Sequence, residues 1–173
     1  VVITGHTSGL GRELYLRSKD NAIGLSRSNG YDLTKNLDDF CVDFDIFFNN
    51  AYSGWKQVDL LYKLFEKNKD RKCMIVNIGS VSADGNYDVV NKYAVHKSAL
   101  DKACTQLQLI DSECKVIQIK LGRMDTPLVA NKIARKMDPA IIADIIHDTV
   151  SSIPEVCLLK TFTLDLMNSR RPL

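Results

Sequence analysis

The chain has no uninterrupted apolar stretch long enough to cross a bilayer, so no membrane-spanning segment is expected. No signal peptide is read ahead of the first apolar run, and a cytoplasmic location is the expectation. Charge of one sign is also missing: Lys plus Arg exceed Asp plus Glu by 23 − 21 = +2. No polybasic run appears, so nothing points to nucleic acid, and Arg170-Arg171 reads as a solvated tail. The five cysteines (Cys41, Cys73, Cys104, Cys114, Cys157) are odd in number and show no Cys-x-x-Cys spacing. The three histidines lie far apart, with no ligand pair on one helix face. Neither a disulfide framework nor a metal site is expected, and the thiols read as reduced core residues. Internal repeats and low-complexity segments are absent.

What is present is the composition of one globular domain spanning 1–173, with 45% hydrophobic and 25% charged residues. Short β-branched or apolar runs alternate with longer helical patterns, which predicts parallel βαβ units. Strands are expected at 1–3, 22–26, 45–49, 73–78, 116–121 and 156–164, with a stub at Tyr31-Asp32-Leu33. Only Ser28-Asn29-Gly30 precedes that stub, so the second crossover has collapsed to a turn. Helices are expected at 10–19, 57–68 and 93–111, with a further one opened by Asp138-Pro139. Thr34 is the expected cap of a short helix carrying Leu37, Phe40 and Cys41. Ala99, Leu100, Ala103, Leu107 and Ile110 trace the expected inner stripe of the helix at 93–111. The stretch 123–137 reads as a substrate cover that includes Met124, Leu128 and Lys132 to Lys136. Right-handed crossovers then predict an α/β fold: a Rossmann-type, doubly wound, mainly parallel sheet of about seven strands with helices on both faces.

Strand, glycine turn and helix is the setting of a dinucleotide loop. Gly5 permits the turn, Gly9 lets the backbone approach a pyrophosphate, and Gly11 lets helix and sheet pack closely. Thr7, Ser8 and Leu10 complete the loop, whose helix N–H groups face the anion. At the end of the second strand, Arg27 with the Ser26 hydroxyl suits a ribose 2′-phosphate, and Arg12 adds positive potential. NADP(H) is therefore expected to be favoured over NAD(H). Asp32-Leu33 is expected beside the adenine, with the Asp32 carboxylate accepting from its amine.

Lys97 follows Tyr93 by four residues, so both project from one helix face. Its ammonium is expected to lower the proton affinity of Tyr93, making that phenol a general acid for an alkoxide forming from a carbonyl. Ser80 is expected to hold the same oxygen. Each motif alone recurs in unrelated chains; their order and conjunction carry the reading.

Together, Thr4-Gly5-x-x-x-Gly9-x-Gly11, Asp32-Leu33, Asn49-Asn50-Ala51, Asn77-Ile78-Gly79-Ser80, Tyr93-x-x-x-Lys97 with Ala99-Leu100, and Gly122 with Thr126 resemble the short-chain dehydrogenase/reductases over nearly the whole chain. The resemblance implies the Rossmann fold and catalytic roles for Ser80, Tyr93 and Lys97. It also implies cofactor contacts from Asn49, Asn50 and Ala51 and, at the nicotinamide half, from Gly122 and Thr126. The implied activity is hydride transfer between NADP(H) and a small carbonyl or alcohol. The alternative is a catalytically impaired NAD(P)-binding sensor or partner-binding protein, and an epimerase or dehydratase would share the same residues. Three departures stand out. Tyr52 replaces the glycine expected after Ala51, and Leu121 replaces the proline expected before Gly122. The family's fourth-helix Asn, which holds a water in the proton relay, has no counterpart between Tyr52 and Lys67, where Gln57 is the nearest amide and has no assigned role. Ordinary members are longer, and the shortened helix leaves a homodimer or monomer as the expected state. His96 reads as a spectator. Tyr52 and Trp55 either stack on a flat substrate or fill the space of the missing loop.

Overall fold

The computed structural model describes residues 1–126, 135–154 and 157–166. Six parallel strands form one sheet: β1 (Val2–Thr4), β2 (Ile23–Leu25), β3 (Ile46–Asn49), β4 (Cys73–Ser80), β5 (Cys114–Leu121) and β6 (Thr161–Leu164). Their spatial order is β2-β1-β3-β4-β5-β6. The chain therefore leaves β1 toward one edge and returns to the other side of β1 at β3. That reversal opens a crevice at the carboxyl ends of β1 and β3, where doubly wound sheets bind ligands.

The helices are α1 (Gly9–Arg17), α2 (Lys56–Asn68), α3 (Lys92–Leu107) and α4 (Pro139–Ser151). Two apolar clusters show how they cover the sheet. Leu60, Leu61, Leu64 and Phe65 of α2 pack with Leu100, Ala103 and Leu107 of α3 against Phe47, Ile75 and Val116. On the other face, Leu10 and Leu14 of α1 join Ile142, Ala143 and Ile146 of α4 over Ile3, Val76 and Ile117. Burying each such leucine or phenylalanine stabilises the fold by roughly 2 kcal/mol before conformational entropy is counted. Asp138 caps α4 by accepting from the Ala140 N–H at 2.8 Å, with Pro139 in the first turn as expected.

Four expectations are corrected. Among the described residues the sheet has six strands, and residues 31–33 form no strand. Ser26 and Asn29 instead close a capping box around a single 3-10 turn, the Tyr31 N–H bonds back to the Ser26 carbonyl at 2.9 Å, and Leu33 turns into the core. Second, the short helix is a 3-10 turn at Leu37–Phe40 capped by Asn36, because Asp32 already engages Thr34 in a local turn. Third, α3 ends at Leu107, and its buried stripe runs through Ala94, Lys97, Leu100, Ala103, Cys104 and Leu107; Ile110 is exposed. Fourth, only Cys73, Cys104 and Cys114 are buried, whereas Cys41 is half-buried and Cys157 exposed. The last strand begins at Thr161, with the expected start at Val156 outside the described residues. No helix among the described residues is long and apolar enough to cross a membrane.

Gly11 is where α1 meets the sheet. A Cβ there would lie 2.3 Å from the Gly5 carbonyl oxygen, which no rotamer change relieves. Gly11→Ala is expected to push α1 off the turn, costing about 2 kcal/mol in thermal or denaturant unfolding and weakening nucleotide uptake. A wild-type melting curve would contradict this contact.

Candidate active site

The carboxyl ends of β1 and β3 are stitched together by Thr4, a residue quoted in the glycine signature but given no role of its own. Its buried hydroxyl donates to the Phe48 carbonyl at 3.2 Å and accepts from the N–H groups of Asn50 and Ala51, both at 2.9 Å. The Asn50 amide returns a bond to the Thr4 carbonyl at 2.9 Å. Asn50 and Ala51 thus brace the sheet directly under the glycine turn.

That turn runs from Gly5 to Gly11, with Thr7 and Ser8 exposed and Leu10 buried. Gly9 adopts φ +52, and a Cβ on it would sit 3.0 Å from Cγ2 of Thr126. Gly9, expected at the pyrophosphate, and Thr126, expected at the nicotinamide half, therefore lie next to each other. Ser8 precedes α1 without a side-chain cap, so its hydroxyl is not consumed by the helix. A backbone cradle that side chains would fill, at a helix N-terminus, fits a pyrophosphate. Gly122 follows β5 and donates its N–H to the Leu164 carbonyl at 2.8 Å. Beyond it, Met124 and Met137 form a bridge, and the backbone bonds Asp125 N–H to Met137 O (2.9 Å) and Met137 N–H to Arg123 O (2.8 Å) close a neck. Residues 127–134 of the expected cover, Leu128 and Lys132 among them, lie outside the described residues, and Lys136 pairs with Asp125 at 3.0 Å.

At the adenosine end, Ser26 is buried, Arg27 is exposed, and the Ser26 and Ser28 hydroxyls share a hydrogen bond at 2.8 Å. Arg12 is engaged with Glu13 at 2.8 Å, which offsets the potential expected from it. The Thr34 N–H and hydroxyl occupy one oxygen of Asp32, and these bonds hold its carboxyl below the usual range. Leu33 packs within the core rather than standing at the crevice wall.

Ser80, Tyr93 and Lys97 lie near one another at the end of β4. Ser80 ends β4 and caps the 3-10 turn Val81–Asp84: its oxygen accepts the Ser82 N–H at 3.1 Å, leaving its hydrogen free for another acceptor. Lys120 holds this turn to α3 through Asp84 (2.6 Å) and Asp101 (2.7 Å). Tyr93 lies in the first turn of α3, beside Ser80, whose hydroxyl interacts with the phenol. The Lys97 amine stands 5.7 Å from the centre of the Tyr93 ring.

The expected direction of the Tyr93 shift is corrected. Burial raises the phenol above its ordinary value and outweighs the lowering by Ser80. Lys97 does not counter this, because burial lowers its own value from 10.5 to about 7. A lysine with 3% exposure and no carboxylate partner is only partly charged at neutral pH.

Four side chains surround this group: Gln57, to which the sequence assigns no role, His96, which reads there as a spectator, and Tyr52 and Trp55, for which two readings are open. The Gln57 side-chain carbonyl accepts from Lys97 at 2.8 Å, and the Ile78 carbonyl accepts from it at 2.7 Å. Tyr52 stands edge-on to Tyr93 with ring centres 4.9 Å apart, and its hydroxyl bonds His96 Nδ1 at 2.9 Å. Trp55, 53% exposed, abuts His96 at 4.8 Å. Tyr52 therefore fills the space beside the reacting residues, and His96 orients it. One signal for Gln57 was available: it continues the stripe Leu60-Leu61-Leu64 on α2 just as Lys97 continues Leu100-Cys104-Leu107 on α3. Two polar residues on facing apolar stripes must satisfy each other.

No family model matches the chain, and no curated protein matches it in sequence. Solved structures do. A 3-ketoacyl-(acyl-carrier-protein) reductase from Brucella melitensis, complexed with NADH, superposes with a TM-score of 0.79 at 17% identity, covering 95% of each chain. A serine dehydrogenase complexed with NADP+ gives 0.74 at 16% identity, covering 99% of this chain and 96% of that one. A 4-hydroxyisoleucine dehydrogenase complexed with NADH gives 0.73 at 20% identity, covering 99% and 98%. The chain has the fold of the short-chain dehydrogenase/reductases.

The buried lysine sets a pH dependence. Its folded value, about 7, lies below its ordinary 10.5, so between these the unfolded chain binds more protons than the folded one. Stability of the nucleotide-free protein is expected to rise from pH 7 toward pH 9. Above that range the raised thiols of Cys104 and Cys114 oppose the trend. Lys97→Met is expected to flatten this rise and to melt higher than wild type at pH 6. An identical pH slope in the variant would contradict the burial of an amine without a counter-ion.

Proposed function

We propose that the chain is a nicotinamide-dependent oxidoreductase acting on a small carbonyl or alcohol. The observation that carries this reading is the convergence of Ser80, Tyr93 and Lys97 at the end of β4, in the crevice that the Gly5–Gly11 turn also lines. The fold shared with structures bound to NADH and NADP+ supports the cofactor class. When bound, the nicotinamide supplies or accepts the hydride. In reduction, the π bond of the carbonyl breaks as carbon takes the hydride, and the oxygen takes a proton from the Tyr93 hydroxyl. The Ser80 hydroxyl donates to the same oxygen as it gains charge. Lys97 supports the phenolate that Tyr93 leaves, to the extent that the amine is protonated.

NADP(H) is the favoured cofactor on the strength of Arg27 and the Ser26–Ser28 hydroxyl pair at the end of β2. The raised phenol and the partly neutral lysine give weight to one rival, a nucleotide-binding protein without turnover.

Two substitutions test the reading. Tyr93→Phe is expected to lower kcat for carbonyl reduction about 100-fold or more, with nucleotide affinity changed less than about threefold. Nucleotide binding without turnover on any carbonyl or alcohol would favour the rival. Arg27→Ala is expected to weaken NADPH about tenfold in calorimetry and to leave NADH nearly unchanged. Equal loss for both nucleotides would remove the assignment of Arg27.

A further inference from the structure

The Lys97 amine reaches two oxygen acceptors, and both are neutral: the Gln57 side-chain carbonyl at 2.8 Å and the Ile78 main-chain carbonyl at 2.7 Å. Gln57 is only 2% exposed, and its orientation is imposed from the other side. Its amide nitrogen donates to the Asn49 carbonyl at 2.8 Å and the Ile78 carbonyl at 3.2 Å, so the amide oxygen has to face Lys97. Reversing the amide would set N–H against N–H, take the donor away from the Asn49 carbonyl and leave the Ile78 carbonyl with Lys97 alone. Asn49 in turn donates to the Gln57 main-chain carbonyl and to Asn77, both at 2.9 Å, and Asn77 donates to the Ile117 carbonyl at 3.3 Å. An unbroken line of amides thus runs from β5 through β4 and β3 to the first turn of α2, and ends on the lysine.

The other groups facing Lys97 are uncharged in their protonated forms. The Tyr52 ring centre lies 5.5 Å from the amine and the Tyr93 ring centre 5.7 Å, and the Cys104 thiol lies on the same helix face. A flexible four-carbon side chain has many rotamers, and ring contacts alone do not choose one. The two carbonyls do.

We propose that Gln57 is a positioning residue of the reacting centre: its side-chain carbonyl captures one N–H of Lys97 and, with the Ile78 carbonyl, pins the amine against the Tyr93 and Tyr52 rings. This rests on the functional reading above for its kinetic consequence, but not for its structural one. Because the clamp is neutral, it fixes where the lysine sits without forcing it to be charged. Gln57 therefore sets both the position of the amine and the pH range in which its charge acts on Tyr93.

The test is a heteronuclear NMR titration of the lysine Cε resonances in the nucleotide-free protein, with Lys97 assigned by its loss in Lys97→Met. The wild-type midpoint is expected near 7. Gln57→Glu keeps the shape and places a carboxylate on the amine, so the Lys97 midpoint is expected to rise by about one unit or more. Gln57→Leu removes the acceptor; the midpoint is expected to fall, and kcat for carbonyl reduction to drop about tenfold or more with KM within about twofold. A residue that merely fills the first turn of α2 would move the melting temperature and leave the titration alone. A wild-type Lys97 midpoint in both variants, each folded by circular dichroism, would overturn the proposal. Should Gln57→Leu not fold, the titration of Gln57→Glu decides by itself. Should wild type and Tyr93→Phe be equally inactive on every carbonyl, the functional reading falls while the titration still judges Gln57.

Discussion

A lysine buried among neutral partners organises the candidate site that Ser80, Tyr93 and Lys97 form. Lys97 interrupts the apolar stripe of α3 and is nearly inaccessible to water, so its amine has to be satisfied by the protein itself. The acceptors come from α2 and β4, which are separated from it in sequence and joined to it only by the fold. Burial without a carboxylate lowers the lysine and raises Tyr93 in the same pocket. Two neighbouring titratable groups both shifted by burial are common at sites of proton transfer. Holding an amine in that pocket without a counter-ion costs the folded state stability.

With the third strand reduced to a turn, β2 becomes the sheet edge, yet the reversal between β1 and β3 is kept. Only residues 50–55 separate β3 from α2, so Gln57 enters the buried layer almost immediately after the Asn49-Asn50-Ala51 corner. This brevity is what brings an amide within reach of Lys97. The Tyr52 ring then occupies the space beside it, held by His96.

The parts of the fold legible in the sequence were those governed by local rules. Glycines at positions 5, 9 and 11 after an apolar run announced strand, turn and helix, and the contact of Gly11 with the Gly5 carbonyl shows why no side chain fits. The spacing of Tyr93 and Lys97 placed both on one helix face. What depended on tertiary partners was not legible. Tyr31-Asp32-Leu33 has strand-like residues, but Asp32 is captured by Thr34 and Leu33 by the core. The effect of Lys97 on Tyr93 was read from proximity alone, and desolvation, which no spacing reveals, reversed its direction. Thr4 and Gln57 act through contacts with residues 46 and 40 positions away.

The most direct measurement is a crystal structure of the chain grown with NADPH. Nucleotide density is expected along the turn from Gly5 to Gly11 and past Thr126, ending in the crevice where Ser80 and Tyr93 meet, with the Lys97 amine still bonded to Gln57. Density bound elsewhere on the sheet, or a Lys97 swung away from both carbonyls toward solvent, would contradict this expectation.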